Sequence, residues 1–342
     1  PAPDKQILFG DLHVHTTFSP DAFALSLPVM GGEGARPPAM ACDFARHCSA
    51  LDFWGLTDHA EGITPRRWRE SVASVRECNA SAGDGANPDL VAFLGWEWSQ
   101  VAWDADAHWG HKNVVLRDDQ RVPARAIAAP REQFTDAPIG RAAQLFLGLR
   151  DWENRDVYFR YADYYAESAA TPRCPSGVDT RELPDDCLEV ADDPQALFEK
   201  LAQWDFDALV IPHGNAWGLN TPPGTSFDKQ LTREQHDPAR QRLIEVYSGH
   251  GNSEEYRPWR HVVRGESGAL ACPAPTPDFL PCCWRAGEII AERCRAAGED
   301  EPTCAERARE ARANHVAASV SGAWTVPGTT PEDWLDCGTC RD

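Results

Sequence analysis

Gly10-Asp11-Leu12-His13-Val14-His15-Thr16, with Asp21 six residues after the second histidine, is the stretch from which the fold of this chain is read. The apolar-leaning run Gln6 to Leu12 predicts a buried strand. Side chains on a strand alternate faces, so the two histidines at its exit point the same way. Two imidazoles on one side of a strand end can grip a divalent metal ion, which then needs further nitrogen or oxygen ligands from elsewhere in the chain.

Working outward, the chain repeats this arrangement. Asp52 to His59 reads as a short buried strand ending in Asp58 and His59, and Asp89 to Glu97 as an apolar strand ending in an acid. His111 to Leu116 reads as a strand that begins with a histidine, Ala208 to Asn215 carries His213, and Leu243 to Tyr247 leads into Ser248-Gly249-His250. Between them the sequence predicts helices at Ala39 to Ala50, with Phe44 and Cys48 on one face, and from Pro65 to about Ala80, with Thr64 as N-cap. Further helices are expected at Pro194 to Trp204, Trp284 to Ala297 and Cys304 to Ser319. Residues 118–190 lack a clear period and read as a long insertion with one helix near Gly140 to Leu149.

Strand, loop and helix in repetition imply an α/β fold with parallel strands and outer helices, and in a barrel of that kind sites are built at the C-terminal strand ends. An open doubly wound sheet would not gather polar residues from five or six strand ends. The expected organisation is a single domain over 1–342, with the 118–190 insertion and a Cys-rich helical extension over 265–342.

The net charge of −20 argues against a broad nucleic-acid-binding face, so an anionic substrate would need local positive charge. No apolar run approaches the roughly 20 residues of a membrane span. Twelve cysteines, most of them in loop-like sequence after residue 170, point to an oxidising compartment. The expectation is a periplasmic or secreted protein whose leader has been removed. Cys174 and Cys187 read as closing a loop within the insertion. Cys42, Cys48 and Cys78 sit in helical patterns and read as small buried hydrophobes. Cys337-x-x-Cys340 reads as disulfide-forming, with partners among Cys272, Cys282, Cys283, Cys294 and Cys304, ahead of a zinc or redox motif.

The candidate metal ligands are His13, His15, Asp21, His59, Glu97, His111 and His213, with His108, Asp58, Glu245 and His250 behind them. Each alone could be a satisfied polar group at a loop, but their recurrence at separate element ends implies a multinuclear site. Arg66 and Arg67, just after His59-Ala60-Glu61-Gly62, read either as planar forks for an anionic substrate or as solvated arginines on a first helical turn. Trp96, Trp98, Trp103, Trp109 and Trp217 read either as an aromatic pocket or as core.

Gly10 to Thr16, Thr57-Asp58-His59, Gly95-Trp96-Glu97, His111 and Pro212-His213-Gly214 resemble, in order and spacing, the successive motifs of the PHP (polymerase and histidinol phosphatase) superfamily. Gly95-Trp96-Glu97-Trp98, His111-Lys112-Asn113 and Glu245 to Glu254 look like an uncharacterised, mostly exported bacterial branch of it. The resemblance implies a distorted barrel of about seven strands, a (βα)7-type fold, carrying two or three Zn, Mn or Fe ions that hydrolyse phosphate esters. By the same resemblance His13 and His15 hold the first ion, Glu97 bridges to a second held by His111 and His213, and Asp21, where many members have a histidine, binds a third with His59. Members end with an Asp-x-His pair that has no counterpart here after His315. Asp106-Ala107-His108 has the letters too early, so the chain is expected to be C-terminally incomplete.

The function these readings imply is a metal-dependent phosphoesterase for a small anionic mono- or diester. His250 or His108 would be the proton donor to the leaving group, although His250 reads equally well as a loop histidine bonded to backbone. The competing expectations are a hydrolase of sulfate esters or phosphotriesters, a catalytically silent metal-stabilised binding module, and a disulfide-rich surface protein without metal.

Overall fold

A computed structural model describes residues 7–102, 106–130, 141–214, 217–218, 221, 227–232, 234–248, 251–252, 262–264, 269–277 and 279–318. They fall into two compact units. One comprises Pro1–Gln100, His111–Pro212 and Leu231–Ile244; the other comprises Val101–Gly110, His213–Gln230 and Glu245–Asp342.

The first unit is a mixed α/β structure. In chain order its strands are β1 (Gly10–Val14), β2 (Phe53–Leu56), the hairpin β3 (Gly83–Asp84) and β4 (Asn87–Pro88), β5 (Val91–Gln100), β6 (Gly110–Leu116), the pair β7 (Ile127–Ala128) and β8 (Glu189–Val190), and β9 (Ala208–His213), whose last residue already belongs to the second unit. A five-stranded sheet runs β1-β2-β5-β6-β9, with β1, β2 and β5 mutually parallel. β6 is reversed. A Cβ on Gly95 would come 2.3 Å from the Val114 carbonyl oxygen, while Glu97 meets His111, so rising along β5 means descending along β6. That close approach excludes any side chain at position 95. The expectation of uniformly parallel strands is therefore corrected at β6. The reversal also explains why the histidine of this strand opens it: its first residues lie level with the last residues of β5. The described residues do not establish the closing strands of a seven-stranded barrel.

Other readings need adjustment. Ile7, Leu8 and Phe9 precede β1 and are 83%, 57% and 69% exposed, so the strand begins only at Gly10 and is not the buried strand expected: Gly10 and Asp11 are exposed and Leu12 to Val14 half-buried. Leu243 to Tyr247 is not a strand: Leu243, Ile244 and Val246 are exposed, and only Tyr247–Ser248 pairs.

The helices are α1 (Pro20–Ser26), α2 (Pro38–His47), α3 (Pro65–Ala80), α4 (Arg141–Arg150), α5 (Arg155–Ala170) and α6 (Pro194–Trp204) in the first unit, and α7 (Cys282–Ala296) and α8 (Glu301–Ala318) in the second. α3 starts as its sequence dictates, with Pro65 in the first turn and Thr64 Oγ1 accepting the Arg67 N–H at 3.3 Å. Its buried face is Trp68, Ser71, Val72, Val75 and Cys78. α2 turns Cys42 and Ala45 inward and leaves Phe44 exposed, because Cys42 is bonded to Cys78 of α3 and that bond fixes the helix rotation. Cys42 and Cys78 are thus a disulfide rather than packed thiols, and Cys48 is an exposed thiol.

Within 118–190 the aperiodic reading missed α5. Its buried Tyr158, Tyr161, Tyr164 and Ser168 recur at helical spacing, and the three tyrosines form a separate apolar cluster with Phe23 and Leu27. The signal lay in tyrosines, whose mixed polarity blurs a hydrophobic stripe. Trp96 and Trp98 are fully buried, with the Trp98 indole donating to Ala191 O at 3.0 Å and Trp68 packing edge-on to Trp96. These tryptophans are core.

The second unit pairs β10 (Trp217–Gly218), β11 (Tyr247–Ser248) and β12 (Gly251–Asn252) in the antiparallel order β10-β12-β11, and β13 (Val263–Arg264) with β14 (Leu270–Ala271). α7 packs on α8, and Cys294–Cys304 clips the turn between them. Cys272–Cys283 fastens the residue after β14 to the start of α7. With Cys174–Cys187 in the first unit, four disulfides are present among the described residues. Four of the tail cysteines thus pair among themselves, Cys282 is in none of these disulfides, and Cys337-x-x-Cys340 lies outside the described residues. No helix among those residues is long and apolar enough to cross a membrane.

Arg67 is a strut. Buried to 1% exposure, its guanidinium donates to Gly62 O, Ser168 Oγ and Tyr164 O and lies 3.7 Å over the Tyr164 ring, joining the start of α3 to α5. Burial pulls its pKa down, and both terminal nitrogens are engaged, Nη1 by Gly62 and Ser168 and Nη2 by Tyr164 and Glu167. Arg66 stands on the exposed side in ion pairs with Glu70 and Glu167. The reading of both as substrate forks is corrected accordingly.

Two outcomes follow for urea unfolding. Arg67→Ala is expected to cost about 3 kcal/mol, since it orphans buried carbonyls, whereas Arg66→Ala costs less than about 1 kcal/mol. Removing Cys42–Cys78 by a double serine substitution, which frees a loop with a sequence separation of 36, is expected to cost about 3–4 kcal/mol.

Candidate metal centre

The sheet register decides which side chains meet. β2 and β5 pair in parallel with Phe53 beside Val91 and Leu56 beside Leu94, and the same offset carried upward puts His59 beside Glu97, where an isolated bridge continues the ladder. β1 pairs with β2 through a register shift between Asp11 and Val14 and delivers His13 and His15 to the same end. β6, entering from the opposite direction, begins there with His111. Asp21 comes from the first turn of α1.

Six of the seven sequence-derived ligands therefore converge within the first unit, and Glu97 is their hub. Its carboxylate is fully buried. Oε2 lies 3.2 Å from His13 Nε2 and 2.9 Å from His15 Nε2, and Oε1 lies 2.5 Å from His111 Nδ1 and 3.4 Å from His59 Nδ1. The far nitrogen of His59, Nε2, is 3.3 Å from Asp21 Oδ2. Three overlapping groups of potential donors result: His13, His15 and Glu97; His15, Asp21 and His59; and His59, Glu97 and His111.

The donor set fits divalent metal. His13 Nε2, His15 Nε2 and Glu97 Oε2 form a triangle with edges of 3.0, 2.9 and 3.2 Å. Donors held about 2.0–2.2 Å from one ion lie about 2.9–3.5 Å apart in octahedral or tetrahedral surroundings, so these edges are those of a coordination face. Two imidazole nitrogens and a carboxylate oxygen brought that close expose lone pairs to one another and require a cation between them, whether protons or metal. Imidazole and carboxylate together suit Zn, Mn or Fe, and the harder Asp21 leans toward Mn or Fe.

Without metal, protons do this work. Burial alone would pull His59 down, but the charges of Glu97 and Asp21 outweigh it and its pKa is pushed up to about 10.

The surroundings hold the ligands in place. Asp58, expected as a second-rank ligand, is instead a clamp: Oδ1 accepts from Thr16 N at 2.6 Å and Ser19 Oγ at 2.9 Å, and Oδ2 from Thr16 Oγ1 at 2.7 Å. It fixes the chain as it leaves β1. Burial pushes its pKa up, against the pull of His15 and of these hydrogen bonds.

Three residues were not singled out from sequence. Ser19 and Ser99 touch ligand imidazoles through their hydroxyls, and Glu61, whose burial pushes its pKa up to about 7, accepts from Ala129 N at 2.7 Å with its other oxygen 4.0 Å from His59. A weak signal existed for Ser99, two residues after Glu97 and so on the same strand face. None existed for Ser19 in a loop.

His213 and His108 belong to the second unit. His213 is buried at the end of β9 with Nδ1 3.7 Å from Glu245 Oε2, and His108 is buried with Nδ1 accepting from Ala102 N at 3.3 Å. His250 lies outside the described residues. Compared with protein-family models, with curated proteins and with solved structures, the chain matches none. The site is therefore read from its own chemistry.

Proton linkage gives the expected pH behaviour. The folded pKa of His59 is above its ordinary 6.5, so its contribution to the metal-free fold is whole below about pH 6.5 and is lost as pH rises through about 10. Metal must displace that proton. Titrating zinc into the metal-free protein at pH 7.5 is expected to release protons, read as a calorimetric enthalpy that changes with the ionisation heat of the buffer.

Proposed function

We propose that this chain is an exported metal-dependent hydrolase of phosphoric esters, mono- or diesters, built on a PHP-type distorted (βα)7 barrel. The observation that carries the reading is the buried Glu97 carboxylate with imidazoles against both oxygens, an arrangement suited to bridging two cations. The order of the sequence motifs, which resembles that of the PHP superfamily, and the convergence of ligands at one end of the sheet support the same reading. The four disulfides support an oxidising, periplasmic or secreted setting.

In this reading His13 with one oxygen of Glu97 would serve one ion, His111 with the other oxygen a second, and His15, Asp21 and His59 a third position, each imidazole serving a single ion. Ions so held would acidify an attacking water and offset the charge of an anionic ester. The protein's part is positional. Glu97 fixes the spacing by dividing its two oxygens between histidines from β1 and from β2 and β6. Asp58 keeps the β1 exit, and with it His15, from drifting. Burial of Glu97, His59 and His111 excludes water from the inner side, so donor charge is felt at short range in a chain whose net charge would otherwise repel an anion. His108 and His250 are the candidate proton donors to the leaving group.

The test is metal content followed by turnover. Purified full-length protein is expected to carry two or three equivalents of Zn, Mn or Fe by elemental mass spectrometry and to hydrolyse an activated aryl phosphate. His13→Ala and Glu97→Ala are each expected to lower kcat/KM at least about a hundredfold. Loaded protein that turns over an aryl sulfate or phosphotriester in place of the phosphate would move the substrate class. Loaded protein that turns over none of them would leave a silent metal-stabilised module, and less than one equivalent after refilling would end the metal reading.

A further inference from the structure

Two buried hydroxyls touch the Nδ1 atoms of two candidate ligand histidines, His15 and His59. Ser19 Oγ, with no exposure, lies 2.7 Å from His15 Nδ1, 2.9 Å from His59 N and 2.9 Å from Asp58 Oδ1. A serine hydroxyl has one proton to give and two lone pairs to receive. The His59 backbone N–H is a donor by necessity and takes one lone pair. Asp58 Oδ1 already accepts the Thr16 N–H at 2.6 Å, so toward Ser19 it acts as an acceptor and takes the proton. One lone pair is left, and it faces His15 Nδ1. His15 must therefore carry its proton on Nδ1, which turns the bare electron pair of Nε2 into the cluster.

Ser99 repeats the device from β5. Its Oγ, 1% exposed, donates to Glu97 Oε1 at 2.8 Å and lies 2.7 Å from His59 Nδ1. His111 Nδ1 is also 3.2 Å away; with the hydroxyl proton given to the carboxylate, the lone pairs of Ser99 are left to accept, the nearer contact from His59, which places a proton on His59 Nδ1 and directs Nε2 at Asp21.

We infer that Ser19 and Ser99 are positioning residues which preset His15 and His59 as Nε2 ligands, making His15, Asp21 and His59 the metal position whose two imidazoles are ordered before the ion arrives. The inference rests on the metal reading above and adds to it which nitrogen binds and which position is prepared. An imidazole whose outer N–H is held cannot rotate freely, so the ion meets an already oriented pair, has the inner proton of His59 to displace, and finds the rotational ordering cost met by the fold. The chemical class taken at the prepared position is a divalent transition ion accepting two imidazoles and one carboxylate, with open coordination for water or substrate oxygen.

The experiment uses the full chain with 15N-labelled histidine and zinc alone as probe. Long-range proton–nitrogen spectra of the zinc-loaded wild type, assigned with His15→Gln and His59→Gln, are expected to show Nδ1 protonated and Nε2 metal-bound for both residues. Zinc on Nδ1 of either residue overturns the inference while leaving the metal site standing, and no bound zinc overturns both. In parallel, Ser19→Ala and Ser99→Ala are expected to weaken one equivalent of zinc ten- to a hundredfold in chelator competition and to leave the remaining zinc unchanged. Unchanged affinity for every equivalent in both variants overturns the inference. Because the tautomer readout is made on the wild type, a variant that fails to fold does not shield the inference from it.

Discussion

A carboxylate with no exposure to water stays ionised only if cations or donors replace the hydration it has lost, and Glu97 meets that requirement with imidazoles against each oxygen. Much of the first unit serves that one contact. The parallel register of β2 on β5 brings His59 alongside, the shifted register of β1 brings His13 and His15, and the reversal of β6 brings His111 from the opposite chain direction. Gly95, two residues earlier on the same strand, permits the backbone approach that the β6 pairing needs. Charge compensation and strand register are thus one constraint seen from two sides: a slip of one residue in β5 would turn Glu97 to the other face and strand four histidines without their counter-ion.

The shell behind the ligands follows from the same economy of buried polar groups. Asp58 is as buried as Glu97 but is satisfied by hydrogen bonds from Thr16 and Ser19, which makes it a fastening for the loop between β1 and α1. Adjacent residues of one motif, Asp58 and His59, therefore have different work, because successive side chains at a strand end point to opposite sides.

The ligands were legible in the sequence for a physical reason. Polar, metal-type side chains directly after apolar strand runs are costly unless something gathers them, and a parallel α/β arrangement gathers strand ends by construction. The six residues from His13 to His111 follow that logic and meet in the structure. What was not legible depends on contacts distant in sequence. Ser19 and Ser99 carry no pattern, since a serine beside a histidine is ordinary until the third partner is known. Arg67 looked like a substrate fork because its sequence neighbours are site residues, while its actual partners, Tyr164 and Ser168, lie about a hundred residues on, in a helix hidden by tyrosines. Cys42 and Cys78 looked like packed thiols because each sits in a regular helix and nothing local shows that the two helices face each other. The strand assigned to Leu243 to Tyr247 failed for the converse reason: its apolar run was real, but Leu243, Ile244 and Val246 are exposed, and among the described residues only Tyr247 of the run pairs with a strand.

Every donor in the three clusters is nitrogen or oxygen, while every described disulfide lies elsewhere, between α2 and α3, within the insertion, or around α7. The two kinds of cross-link are therefore chemically independent. An oxidant that closes the cysteine pairs does not consume the ligands of the cluster, and an incoming ion does not compete with thiols there that must first be spared from oxidation. Closing the staples and filling the clusters with an ion would therefore be compatible in either order, with no reducing step needed to protect the donors.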